Sequence, residues 1–131
     1  MIIDTSAIVS IALGEPDAVQ MRKAIRGATG AGIGLVSLVE AATVLEGRLG
    51  RAGSDLLDDL IDTLKIELLV VDADVAKHAR AAIGRFGKGH HPARLNLGDL
   101  FSYGLAKSAG RPLLFKGKDF SQTDITQALP G

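Results

Sequence analysis

Cysteine is absent from the 131 residues, which excludes disulfides, thiolate metal sites and thiol nucleophiles. The absence fits a reducing cytoplasm, the expected setting. Aromatic residues make up only 4% of the chain. They are Phe86, Phe101, Tyr103, Phe115 and Phe120, and they do not form the stacking platform that single-strand binders use. Most read as core, and Tyr103 is the one whose hydroxyl can reach a rim. Charge of one sign is lacking too, with 15 basic and 15 acidic side chains. Overall charge therefore points to neither nucleic acid nor membrane, and any such role must come from local clustering. No apolar run reaches the roughly 18 residues of a membrane span. No basic segment precedes the first apolar stretch, so no signal peptide is expected. Repeats, linkers and low-complexity tracts are missing, and the length fits one domain over residues 1–131.

What is present is an alternation of short apolar runs with helical periodicities, built from 47% apolar residues. Met1–Asp4 predicts a buried strand, and Thr5 or Ser6 a cap for a helix reaching about Leu13. A second helix is expected from Pro16 to Arg26, with Val19, Ala24 and Ile25 inward. "IGLVS" reads as a second strand. Ser37 and Glu40 then form a capping box ahead of a helix striped by Leu38, Ala41, Ala42, Leu45 and Leu49. Ser54 is expected to cap a fourth helix carrying Leu57, Leu60, Ile61 and Leu64. Glu67–Asp72 predicts a third strand. Asp72 or Asp74 would cap a fifth helix with Val75, Ala79, Ala82, Ile83 and Phe86 on one face. After the irregular "GKGHHPARLN", Asn96 would cap a sixth helix burying Leu97, Leu100, Phe101, Leu105 and Ala106, ended by Gly110. "LLF" after Pro112 is a fourth strand, and "ITQALPG" a last strand or turn. Strands that are apolar without a period of two, alternating with helices, predict a mostly parallel α/β sheet of four to five strands covered on both faces.

Four carboxylates fall at strand ends or helix starts: Asp4, Glu40, Asp99 and Asp119. In a parallel sheet, strand ends and the helix starts that follow them share one rim, where ligands gather. Asp99 precedes its strand, so it joins them only if its helix also begins at that rim. Each acid has a structural reading as well. Glu40 and Asp99 suit the third position of a capping box, Asp119 suits a turn, and Asp4 can bond its own following turn. Gathered in one site, such acids repel by roughly 4 kcal/mol per pair at 4 Å and an effective dielectric near 20. Helix N-termini offset roughly 0.3–1 kcal/mol each. The remainder calls for a cation, and oxygen-only ligation selects Mg²⁺ or Mn²⁺. The chemistry this suggests is phosphodiester hydrolysis.

With "IIDTSA", "SLVEAA", "LNLGDLFSYGLAK" and "PLLFKGKDF" followed by "TDI", the chain resembles the PIN-domain ribonuclease toxins of the VapBC toxin–antitoxin type over essentially its whole length. The resemblance implies a PIN-like three-layer α/β/α fold. It also implies an Mg²⁺- or Mn²⁺-dependent endoribonuclease, a cognate antitoxin protein and a homodimer. The family's acids carry over onto Asp4, Glu40 and Asp99. Many relatives place an acid where this chain has Gly117, so the fourth position falls to Asp119, with Asp124 in reserve. Thr5, Ser6 and Ser102 are expected as polar support, although Ser6 can equally be a cap.

Arg85, Lys88, His90, His91 and Arg94 cluster just before the Asp99 helix, and Lys116 and Lys118 flank Asp119. Arg85, Lys88, His90, His91, Arg94 and Lys116 are candidates for contact with RNA phosphates or bases, against the plain reading of a solvated loop. The third and fourth helices carry apolar surface expected to meet a second copy or an antitoxin helix. Rival readings are a catalytically silent PIN module that binds RNA or antitoxin, an aspartyl phosphatase, and a phospho-acceptor signalling domain. The phosphatase lacks its second acid because Ser6 stands there. The signalling domain lacks an acid beside Asp4.

Overall fold

The computed structural model describes residues 1–89 and 91–129. Four strands form one parallel sheet: β1 (Ile2–Ile3), β2 (Gly32–Gly34), β3 (Glu67–Leu69) and β4 (Leu113–Leu114). Six helices accompany them among the described residues: α1 (Thr5–Ala12), α2 (Ala18–Gly27), α3 (Leu35–Leu49), α4 (Arg51–Thr63), α5 (Ala73–Phe86) and α6 (Leu97–Ala109). A 3₁₀ turn spans Phe120–Gln122. The expected fifth strand is reduced to a single bridge between Leu113 and Gln127.

Successive strand residues face opposite layers, which is why the strands are apolar throughout. Ile3, Ile33 and Leu114 pack with Ile8, Ile11, Leu45 and Leu57 of α1, α3 and α4. Ile2 and Leu113 pack with Val75, Leu100, Tyr103 and Leu105 of α5 and α6. The expected three-layer α/β/α arrangement is the one observed.

The strand order is β3-β2-β1-β4. The chain winds outward from β1 through β2 to β3, then returns to the other side of β1. The order therefore reverses between β1 and β4, and the crevice beyond their carboxyl ends is the position where open α/β sheets bind ligands. Asp4 follows β1 directly, and its amide donates to Leu114 O of β4 at 2.9 Å.

Several local expectations are corrected. Asp4 itself caps α1 by accepting from the Ser6 amide, so neither Thr5 nor Ser6 holds that position. The β2 strand ends at Gly34, and α3 starts at Leu35. Ser37 is thus inside the helix and Glu40 lies in its second turn, so no capping box forms there. The reason is packing: Ser37 is buried with its hydroxyl against Ser102, and it has no free N-terminal amide to serve. Helix α2 begins at Ala18, two residues after Pro16, and α4 begins at Arg51, which leaves Ser54 to bond Glu46 across the α3–α4 turn. Strand β3 stops at Leu69. Val19 and Leu97, expected inward, are 64% and 72% exposed, each in the first turn of its helix. Leu49 and Ile83 are also exposed. Asp72, by contrast, caps α5 through Val75 N, and Asn96 caps α6, as expected.

Helix α6 carries Asp99 and Ser102, and its seating depends on Gly104. A methyl group there would lie 2.6 Å from Val75 O and 3.0 Å from Ala79 N on α5, whereas one at Gly84 of α5 meets nothing within 4 Å. Gly104→Ala is therefore expected to destabilise by about 1–3 kcal/mol through overpacking. Gly84→Ala should stabilise by about 0.5–1 kcal/mol. Urea unfolding of the two variants beside wild type reads both signs.

Candidate active site

Asp4 is only 3% exposed, and a carboxylate so placed needs compensating donors. It has three. The Ser6 amide (3.0 Å) and Ser6 hydroxyl (2.6 Å) both donate to Oδ2, and the Ser102 hydroxyl makes a short hydrogen bond to Oδ1. The Asx-type bond to Ser6 comes from the local turn. The Ser102 bond comes from α6, 98 positions along the chain, and shows that the N-terminal half of α6 reaches the β1 rim. The Ser6 hydroxyl also accepts from the Lys116 amide at 3.0 Å, tying the loop after β4 to Asp4.

Glu40 comes to the same place from α3. Thr5 Oγ1 donates to its Oε1 at 2.6 Å. Its carboxylate lies against the first turn of α6: a methyl group added at Gly98 would stand 2.5–2.8 Å from the Glu40 carboxyl atoms. Gly98 thus leaves the space the carboxylate fills beside a helix N-terminus, where negative charge is favoured.

Asp99 closes a capping box with Asn96. Its Oδ2 accepts from Asn96 N at 3.0 Å, and its amide donates to Asn96 Oδ1 at 2.9 Å. The structural reading of Asp99 therefore holds, and it does not compete with a second role. Burial, joined by the charges of Asp4, Asp119 and Glu40, pushes its carboxyl up to about 6 against the opposing Asn96 amide. Three acids brought in by separate elements thus act on Asp99 electrostatically. Asp119 is exposed and precedes the 3₁₀ turn without capping it. Asp124 lies elsewhere. Its carboxylate accepts from Tyr103 OH at 2.6 Å and pairs with Lys107 at 2.9 Å and Arg85 at 3.6 Å. Burial opposes its charge, but the Tyr103 hydroxyl and the cations outweigh it and hold the carboxyl below its ordinary range. Asp124 is accordingly a tie for the C-terminal segment, and Tyr103 spends its hydroxyl there.

The basic residues have different surroundings. Arg85 pairs with Asp124 and covers the Phe86 ring at 4.7 Å. Lys116 Nζ lies 3.1 Å from Glu15 and 3.8 Å from Asp17, in a network that includes the Ser10 hydroxyl. His91 shapes its own loop: Nδ1 accepts from Ala93 N at 3.0 Å and the ring meets Phe86 edge-on. Lys88 and Arg94 are exposed and make no ion pair among the described residues. His90 lies outside the described residues. Two residues escaped sequence reasoning. Ser37 was read as a cap, and Gly98, in the run before Asp99, carries no side chain to notice.

Among the described residues, no three histidine, cysteine, aspartate or glutamate side chains are grouped so as to hold a metal ion as they stand. Asp4, Glu40 and Asp99 are instead each turned onto a hydroxyl or amide. The set nonetheless suits a hard divalent ion in kind. Its donors are all oxygen, its charges perturb one another at Asp99, and Mg²⁺ takes only one or two carboxylates while keeping its waters.

The Asp99 shift carries a sign. In metal-free protein the unfolded chain loses this proton near pH 4 and the native state near 6. Native stability from this group is therefore present below pH 4 and lost as pH rises through 6. After discounting for partial exposure, wild type should lose about 1–2 kcal/mol more than Asp99→Asn between pH 4 and 7. Urea titrations in chelator at both pH values measure the difference, and parallel curves would refute it.

The PIN domain family model matches residues 1–125. Ribonuclease VapC30 of Mycobacterium tuberculosis is 48% identical over 131 residues, covering 99% of this chain and 100% of that protein. Among solved structures, M. tuberculosis VapC20, described as a sarcin–ricin-loop-cleaving toxin, superposes with a TM-score of 0.77 at 18% identity, covering 98% of each chain. A toxin–antitoxin complex from Klebsiella pneumoniae gives 0.71 at 18% identity, covering 94% of this chain and 92% of that one. A four-stranded parallel sheet whose order reverses beside Asp4, together with this full-length similarity, establishes that the chain belongs to the PIN-domain family and, within it, to the VapC ribonucleases.

Proposed function

We propose that residues 1–131 act as one PIN-like endoribonuclease domain, the toxin of a type II toxin–antitoxin pair, and that Asp4, Glu40, Asp99 and Asp119 hold Mg²⁺ or Mn²⁺. Divalent-metal dependence belongs to the family. The choice of ion rests on the all-oxygen donor set. One observation carries the reading: α1, α3 and α6 converge at the crevice beside β1, where Ser6 and Ser102 close on the buried Asp4 and the Glu40 carboxylate lies against Gly98, next to Asp99. A bound divalent ion would lower the pKa of a water and offset charge on a phosphate oxygen. The chain's own residues do the rest. Ser6 and Ser102 hold Asp4, Thr5 holds Glu40, and the Asn96 amide holds Asp99.

Lys88 and Arg94, exposed and without an ion pair among the described residues, are proposed to meet RNA phosphates, while Arg85 and Lys116 are shared with the acids that pair with them. A cognate antitoxin is the proposed partner, in keeping with the toxin–antitoxin complex from Klebsiella pneumoniae that shares this fold. A homodimer is proposed as well. Leu35, Val39, Val44 and Leu49 leave part of α3 apolar and exposed, which supports a protein contact on that helix. No described helix is long and apolar enough to cross a membrane, and a cytoplasmic setting is proposed. The signalling-domain alternative finds no support in the family match.

Purified, antitoxin-free chain should cut folded RNA in Mg²⁺ or Mn²⁺ and lose that activity in chelator. Asp4→Asn should lower cleavage by about 10²–10³-fold, the scale on which a transition-state charge partner is missed. Cleavage that survives in chelator, or in Asp4→Asn, would count against the proposal.

A further inference from the structure

Ser37 is 4% exposed, and its Oγ lies 3.2 Å from Ser102 Oγ. Either oxygen can donate when the pair is viewed alone. Ser102, however, has one hydroxyl hydrogen, and the Asp4 carboxylate, which only accepts, takes it in a short bond. The donor between the two serines is therefore Ser37. The hydroxyls form a directed chain from α3 through α6 to the end of β1: Ser37 to Ser102 to Asp4 Oδ1.

Asp4 has about four acceptor positions on its two oxygens. The Ser6 amide and hydroxyl occupy both on Oδ2, and Ser102 occupies one on Oδ1. One remains, on Oδ1. We propose that Ser37 is a positioning residue: by donating to Ser102 it fixes the rotor that keeps this last Oδ1 lone pair open, and in one direction, for the divalent ion. This inference rests on the reading of Asp4 as a metal ligand. Its physical basis is twofold. Ser102 is buried, so losing the Ser37 donor leaves one of its lone pairs unsatisfied and its side chain no longer held in a single rotamer. Each hydroxyl in such a chain also polarises the next, so the bond on Asp4 weakens when its far end is removed.

Mn²⁺ affinity of the full chain, measured by electron paramagnetic resonance titration, tests the chain without any RNA. Asp4→Asn should abolish the tight site. Ser102→Ala should weaken it by about 10–100-fold, as loss of an outer partner does. Ser37→Ala should weaken it by about 3–10-fold, and by less than about twofold when added to Ser102→Ala, because its effect passes through that hydroxyl. Ser37→Cys, close in size with a weaker donor, should fall between wild type and Ser37→Ala and serves if the alanine variant does not fold. Unfolding in chelator reports stability separately and need not follow the Mn²⁺ series. Wild-type affinity in Ser37→Ala and Ser37→Cys, or an equal loss with and without Ser102, overturns the role of Ser37 and leaves the metal reading intact. Equal binding by wild type and Asp4→Asn overturns both.

Discussion

Crowding of negative charge at one end of a small parallel sheet is the constraint that shapes this molecule. Asp4 is nearly inaccessible to water, and an ionised carboxylate there is tolerable only because three donors meet it. Those donors come from the turn that starts α1 and from α6. Seating Asp4 therefore requires α6 to start at the same rim, which brings Asp99 with it. The reversal of strand order between β1 and β4 opens the crevice, and the loop after β4 then brings Asp119 into electrostatic reach of Asp99.

Local satisfaction does not remove mutual repulsion. Thr5 holds Glu40 and the Asn96 amide holds Asp99, yet Asp99 still binds its proton more tightly than an ordinary aspartate. Neutral hydroxyls and amides orient charge without cancelling it. The energy left over is what a divalent cation would recover, at a cost in stability to the metal-free chain. Placing strain of this kind at a functional site is a common pattern in enzymes.

Much of this was legible in the residues themselves. The alternation of apolar runs and helical stripes predicted the three layers, because strands buried on both faces cannot alternate. Asn96 and Asp99 were readable as a capping box, since both members lie within one turn of sequence. Glu40 reads near the rim because its helix follows β2, and only its capping-box reading fails. "S-x-x-E" matches a cap, but the hydroxyl of Ser37 is claimed by Ser102, a tertiary contact with no local signature. Lys116, a candidate phosphate contact, also pairs with Glu15 and Asp17, which no local pattern announces. Asp124, in reserve behind Asp119, is claimed by Lys107 and Tyr103. Val19 and Leu97 failed inward placement because periodicity gives a face and not what packs against it. In each case, surroundings distant in sequence set contacts that a residue's neighbours do not suggest.

Locating the cation tests the central claim most directly. In crystals grown with Mn²⁺, anomalous scattering should show an ion within about 2.2 Å of Asp4 Oδ1, a metal–oxygen bond length, on the side facing Asp99. An ion bound only at other acids, such as Asp74 beside His78, with the rim between Asp4 and Asp99 holding none at saturating Mn²⁺, would contradict it.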